Sequence, residues 1–235
     1  MKPHRIVPHE AWIDARKELL AKEKEYSRAR DQMTAARQAL PWEKVSKDYG
    51  FEGPNGKESL VDLFEGRSQL IVYHFMFGPD WDEGCPICSM CADHYDPIGI
   101  HMNQRDVTMV TASRAPLEKL DAYKQRMGWN FKWVSSLGSD FNWDYFASFT
   151  PEQQEKGEMY YNYSTGGFPS TETPGISAFA KDDSGDVFHT YSSYGRGLES
   201  FLGVYNFLDI VSKGRDESEL PYSMSWVQRH DRYDT

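Results

Sequence analysis

Residues 70–77 read LIVYHFMF, the longest apolar run in the chain. It falls far short of the ~20 residues that a membrane span requires. Its β-branched and aromatic side chains instead fit a central strand buried on both faces. Such a strand has to be surrounded, and a chain of 235 residues can do it, as one domain with extensions or as two small ones. Three cysteines cannot supply a disulfide framework, so packing must hold the fold.

The segments around the run can be read in order. Pro54-Asn55-Gly56-Lys57 marks a turn between two extended stretches, and SLVDLFEG (59–66) reads as a short helical turn. DVTMVTA (106–112) predicts a second buried strand. APLEKLDAYKQRMG (115–128) predicts an amphipathic helix closed by its glycine, and FKWVSS is extended. ISAFAKDDSGDVFHTYSSYG reads as a hairpin about Asp182-Asp183-Ser184-Gly185, and GLESFLGVYNFLDIVSKG (197–214) as the last strong helix. Strand–helix alternation followed by a hairpin predicts an α/β fold, a mixed central sheet with flanking helices on both faces. The aromatic-rich stretch 139–168 is expected to be an insertion that partly covers a site. The tail 215–235 is expected at the surface.

Residues 1–41 form an N-terminal helical extension, ahead of a main domain at 42–214. In the extension Trp12, Leu19, Tyr26, Met33 and Leu40 recur every seven positions on one long helix, 9–40, ended by Pro41. A stripe this narrow belongs to a helix lying across another surface. That surface is either its own domain or a second copy, which would make a homodimer through the N-terminal helix.

All three thiols lie in GCPICSMC, residues 84–91. The cluster follows the apolar run after the loop GPDWDEG. Pro86 is a favoured first helical residue, which places Cys85 at a helix N-cap. Pro97 and Gly99 should kink or split that helix. The N-terminus MKPHRIVPHEAW lacks the apolar core of a secretion signal, so a reducing cytoplasm is the expected compartment. There a Cys-x-x-Cys pair is catalytic or metal-binding rather than a structural bridge. A net charge of −10 argues against nucleic acid and against anionic membrane surfaces as partners.

Strand, Cys-Pro-x-Cys, helix, strand, helix and hairpin, in that order, resembles the thioredoxin superfamily. FEGPNGKESLVDLFEGRSQLIVYHFMFGPDWDEGC is similar to the entry of its peroxiredoxin branch. TPGISAFAKDDSGDVF resembles its cis-proline hairpin, which implies that Thr173 and Pro174, joined by a cis bond, face the dithiol and that the Thr173 backbone pairs with an extended substrate segment. More narrowly, YHFMFGPDW, SRAPLEKLDAYKQRMGW, SSLGSDFNWD, YYNYSTGG and FHTYSSYGRG resemble a bacterial thioredoxin-like family designated DUF899, over about residues 10–232. Peroxiredoxins place a threonine three residues before the attacking cysteine; Asp82 stands there, which argues against peroxidase chemistry.

Two chemistries stay open. In the first, the helix N-terminus stabilises a Cys85 thiolate by about 0.3–2 kcal/mol. Cys85 then attacks the disulfide of a small molecule or a protein, Cys88 resolves, and no cofactor is required. Asp80, Asp82 and Glu83 in the preceding loop would oppose the thiolate. In the second, Cys85, Cys88 and Cys91 with His189 bind copper or zinc. His189 in DVFHTYS resembles a histidine in a hairpin strand of the Sco-type copper chaperones. The plainer roles are a small buried hydrophobe for Cys91 and a hydrogen-bonded strand residue for His189. Arg114 and Arg196 are candidates for an anionic group or for surface ion pairs.

Overall fold

A computed structural model describes residues 4–234, and the chain divides into two compact units, residues 1–41 and 42–235. The first is one helix, α1 (His9–Gln38), preceded by Pro8 and ending ahead of Pro41. None of its residues is buried, and Trp12, Leu19, Tyr26 and Met33 all stand exposed along the heptad stripe.

The second unit opens with β1 (Glu43–Lys44), then the hairpin β2 (Gly50–Gly53) and β3 (Gly56–Ser59), a 3-10 turn at Asp62–Phe64, and β4 (Gln69–His74). The cysteine helix α2 (Pro86–Tyr95) runs through a 3-10 turn at Asp96–Ile98 into α3 (Gly99–Asn103), the break expected from Pro97 and Gly99. Next come β5 (Val107–Ser113), α4 (Leu117–Met127) and β6 (Lys132–Ser135). The insertion holds α5 (Phe141–Asp144), α6 (Pro151–Lys156) and a separate small hairpin of β7 (Met159–Tyr161) and β8 (Ser164–Gly166). The chain then forms β9 (Gly175–Lys181), β10 (Val187–Tyr194) and α7 (Gly203–Leu208).

The main sheet runs β1-β10-β9-β4-β5-β6-β2-β3. β4, β5 and β6 are parallel, joined by crossovers through α2 and α4; β9 returns antiparallel on the other side of β4. This is the expected mixed, thioredoxin-like arrangement, with β4 in its middle and the cysteine helix leaving β4's C-terminal end.

β4 is buried on both faces because its side chains alternate between two cores. Leu70 and Val72 pack with Phe64, Val110, Phe141 and Phe179. Ile71, Tyr73 and the following Phe75 pack with residues of α2, α4 and α7. Helices α2, α4 and α7 thus share one face, while α5, the 62–64 turn and the β2–β3 hairpin close the other. Gly128 closes α4 at φ 68°, a left-handed conformation that glycine adopts without a Cβ clash.

Two expectations change. Residues 197–214 do not make one helix: a 3-10 stretch, Gly195–Phe201, stops at Leu202, whose extended φ −98°, ψ 91° separates it from the short α7. Leu202 is buried, so the apolar face anchors at that break rather than along a continuous helix. The tail also does not simply line the surface. Val227 is buried in the helix-side core, Met224 and Trp226 pack against it, and Glu217 accepts hydrogen bonds from Tyr205 Oη (2.7 Å) and Trp226 Nε1 (2.7 Å).

Candidate functional site: a cysteine pair at a helix N-terminus

Past β4 the chain makes a loop that is tied down at both ends. Phe75 N–H donates to Ala112 O (3.0 Å), and Cys85 N–H donates back to Met76 O (3.0 Å). Lys119 Nζ donates to the carbonyls of Pro79 and Trp81, both at 3.0 Å. Gly84 is required by close approach: a Cβ there would lie 2.6 Å from the Phe75 ring and 3.0 Å from the Tyr123 ring. The loop therefore delivers Cys85 to one spot, the N-cap of α2 with Pro86 as first helical residue, where the spacing had placed it.

All three cysteines are free thiols: Cys85 is partly exposed, and Cys88 and Cys91 are buried. The Cys85 thiol is lowered to about 7, first by a hydrogen bond from the Cys88 thiol. Burial opposes this, while the N–H groups of Cys88 and Ile87 and the positive charge of Arg229 add to the lowering. These are the unpaired amides of a helix start, so the N-terminal effect acts here through identifiable donors. Cys88 moves the other way, pushed well up by burial and by the charge of the Cys85 it serves as donor. Burial pushes Cys91 up to about 12, in keeping with a packed, inert thiol.

One loop acid, Glu83, does not act as expected. Glu83 is enclosed by three guanidinium groups: Arg126, Arg229 (2.9 Å) and Arg232 (3.1 Å). The Arg126 hydrogen bond leads in holding its carboxyl below the usual range. Its charge is thereby spent, and Arg229 turns a positive charge toward Cys85.

Arg229 is the residue the sequence did not disclose. From the tail its Nε and Nη2 donate to Gly84 O (3.2 and 2.8 Å), and Nε donates to Tyr123 Oη (3.0 Å). Tyr123 Oη in turn meets Ser89 Oγ (2.9 Å), which donates to Cys85 O (2.9 Å). One arginine thus supports both the loop before Cys85 and the first turn of α2. It sits 145 residues from Gly84, and no local pattern marks it. His230 and Asp231 likewise pair elsewhere: His230 Nδ1 meets Asp93 (2.8 Å), and Asp231 accepts from Arg126 (2.6 Å).

Thr173 and Pro174 directly precede β9, whose Gly175 pairs in register with His74 at the end of β4 where the cysteine loop begins. The bond between them is not cis: no cis peptide occurs among the described residues. The insertion holds the pair instead. Thr173 N–H donates to Ala147 O (2.9 Å), Thr173 Oγ1 donates to Phe146 O (3.0 Å), and Pro174 O accepts from Tyr161 Oη (2.7 Å). With its amide spent on the insertion, Thr173 cannot offer that amide to a substrate strand.

His189 does not join the cysteines. It lies on the opposite face of the sheet, its ring packed on Tyr145 and Phe179, with Nε2 hydrogen-bonded to Ser192 Oγ (2.7 Å). The register from the hairpin turn sets that facing: His189 pairs opposite Phe179 and lies two residues after Val187, both in the core on that side. The cysteines belong to the helix-side core. Among the described residues no three His, Cys, Asp or Glu side chains converge as a metal-binding group. His189 instead ends a buried relay: Ser192 Oγ meets Ser177 Oγ (2.8 Å), which meets Nε2 of the fully buried His74 (2.8 Å).

The two arginines also resolve. Arg114 Nη1 donates to the buried Glu172 (2.9 Å) and its guanidinium stacks 4.2 Å from the Trp143 ring. Arg196, highly exposed, pairs with Glu199 at the surface (3.0 Å). Among the described residues, no helix is long and apolar enough to cross a membrane.

A mixed sheet with a cysteine pair at the start of the helix that follows its central strand is a thioredoxin-like arrangement. The chain belongs to the family described as "Bacterial protein of unknown function (DUF899)", which it matches over residues 1–233. No curated protein matches it. Among solved structures it is similar to a cysteine-to-serine mutant of PrxQ from Xylella fastidiosa, at 12% identity and TM-score 0.44, over 71% of this chain and 94% of that one. It is also similar to the peroxidoxin BcpB of Mycobacterium tuberculosis, at 12% identity and TM-score 0.42, over 70% and 94%. A third is thioredoxin peroxidase I of Plasmodium yoelii, at 14% identity and TM-score 0.45, over 73% and 91%.

Proposed function

We propose that this chain is a thiol–disulfide oxidoreductase in which Cys85 attacks and Cys88 resolves. The observation that carries the reading is the asymmetry of the pair: Cys85 lowered to about 7 at the helix N-cap, Cys88 held protonated beside it as the donor. The Cys85 thiolate attacks one sulfur of a substrate disulfide, forming a mixed disulfide and releasing the other sulfur as thiolate. That step removes the negative charge from Cys85. The charge was one of the causes raising Cys88, so Cys88 now loses its proton more readily. Its thiolate attacks Cys85 Sγ and releases the second substrate thiolate. Two electrons pass from the dithiol to the substrate, leaving a Cys85–Cys88 disulfide that an external thiol must reduce. Partial exposure of Cys85 beside a buried Cys88 fits that division of labour.

The test uses oxidised glutathione as the small disulfide and insulin as the protein one. Wild type should reduce at least one of them. Cys85→Ser should abolish reduction, and Cys88→Ser should accumulate a mixed disulfide at Cys85, visible by intact mass. Turnover retained in Cys85→Ser sinks the reading. Elemental analysis of protein purified without chelator, with thiols counted on the same sample, separates it from the copper or zinc alternative. Near one metal per chain held by thiols would displace dithiol exchange.

A further inference from the structure

Helix α1 is 30 residues long, and none of its residues is buried. A helix owes most of its stability to packing an apolar face on another surface, and a lone one is marginal in water. The apolar face of α1 is the heptad stripe of Trp12, Leu19, Tyr26 and Met33, each at least half exposed and Tyr26 70% exposed. With Trp12 as heptad position a, the d positions three residues on are Ala15, Lys22, Ala29 and Ala36. The seam therefore alternates large side chains with alanines, and one lysine sits in it.

That alternation decides which way a second copy of the helix packs on it. In a parallel pair, identical positions meet. Trp12 and Tyr26 would each stack on their own copies, alanine would face alanine across a gap, and Lys22 would meet the partner's Lys22 inside the seam. At the flanks Glu18 would meet the partner's Glu23, a repulsion that cancels the attraction of Glu25 for the partner's Arg30. In an antiparallel pair, position a meets position d. With the twofold axis between Ser27 and Arg28, Leu19 packs on the partner's Ala36, Tyr26 on the partner's Ala29, and Met33 on the stem of the partner's Lys22. Each bulky side chain then faces a small or slender one. Glu23 and the partner's Arg30 flank the seam as opposite charges, and the twofold makes that pair twice. Arg16, which approaches the partner's Arg37 in this register, keeps its ion pair with Glu23 of its own helix (2.8 Å).

We propose that the protein forms a homodimer through α1, the two helices packed antiparallel with Tyr26 of each over Ala29 of the other. The partner is a second copy because the stripe complements itself, in size along the seam and in charge beside it. The contact removes from water the apolar side chains that α1 leaves exposed, and so supplies the packing that a helix of this length lacks by itself. It does not depend on the redox reading, since every residue it uses lies in α1, ahead of the cysteines.

Sedimentation equilibrium of the full-length chain tests it. The wild type should show the mass of two chains. Leu19→Lys combined with Tyr26→Lys alters only exposed positions of α1, leaves the cores of the main domain untouched, and should give the mass of one chain at the same concentration. Glu23→Arg should weaken the dimer about tenfold, because it turns two attractions into two repulsions, and Arg30→Glu should do the same. The two changes together should recover most of the lost affinity. A parallel pair predicts the opposite for Glu23→Arg, which would relieve the contact with Glu18 and tighten the dimer. A single-chain mass for the wild type at about 100 μM overturns the proposal. So does a dimer that Leu19→Lys with Tyr26→Lys leaves intact, one that Glu23→Arg tightens, or a double charge swap no tighter than either single one.

Discussion

Replacing Cys88 with alanine removes the thiol that does most to lower Cys85, while the N–H groups of residues 87 and 88 and Arg229 remain. The Cys85 thiol should therefore rise from about 7 toward the ordinary value of a free cysteine, about 8.5. At pH 7 a thiol at 7 is half thiolate, whereas one at 8.5 is about 3% thiolate, a loss of roughly sixteenfold in reactive form. Part of that returns, because a more basic thiolate is the better nucleophile. With a Brønsted slope of about 0.4–0.5, 1.5 units restore roughly four- to sixfold. The net expectation at pH 7 is a roughly three- to fourfold slower Cys85, with a rate–pH midpoint above that of the wild type. The assay is alkylation by iodoacetamide from pH 5 to 10, with modification of the Cys85 peptide quantified by mass spectrometry. Cys88→Ser, which keeps a donor, should lie between the two. A midpoint unmoved by Cys88→Ala would refute the argument that the second thiol sets the first.

Arg229→Met should shift the same midpoint upward by removing a positive charge from Cys85. It should also speed proteolysis of the 78–84 loop, because Gly84 O loses both of its guanidinium donors. A mutant with the wild-type midpoint would reduce Arg229 to a structural tie. His74 predicts acid sensitivity: burial lowers it to about 3, and His189 is lowered by burial too. The unfolded chain takes up a proton below about pH 6.5 that native His74 refuses until about 3, so stability is level above that window and falls as pH drops through it. By pH 5 the loss from His74 alone is about 2 kcal/mol. Urea unfolding at pH 7.5 and 5.0 should show that difference in wild type and a smaller one in His74→Gln; identical pH dependence in both would remove His74 as the cause.

Much of this protein is written in short stretches. Pro86 after Cys85 specifies a helix start, and Gly128 a left-handed helix end. Pro54-Asn55-Gly56 makes a hairpin turn, and the apolar run over β4 demands a strand with two buried faces. Each acts through the φ and ψ of one residue or through a period of two, so neighbouring residues suffice to determine them. That is why the cysteine pair and its place after the central strand were legible. Tertiary structure decided what distant segments do to that pair. Arg229 reaches Gly84 across the whole domain, the insertion takes the Thr173 amide, and three arginines enclose a Glu83 that composition alone would set against the thiolate. The hairpin register sets His189 opposite Phe179, on the face away from the cysteines, because side chains alternate along a strand. Leu202 breaks a helix that periodicity would continue, because its burial at the break outweighs the helical turns forgone. A hydrogen-bond partner or a shared face is a property of two segments at once, and only the assembled fold brings those segments together.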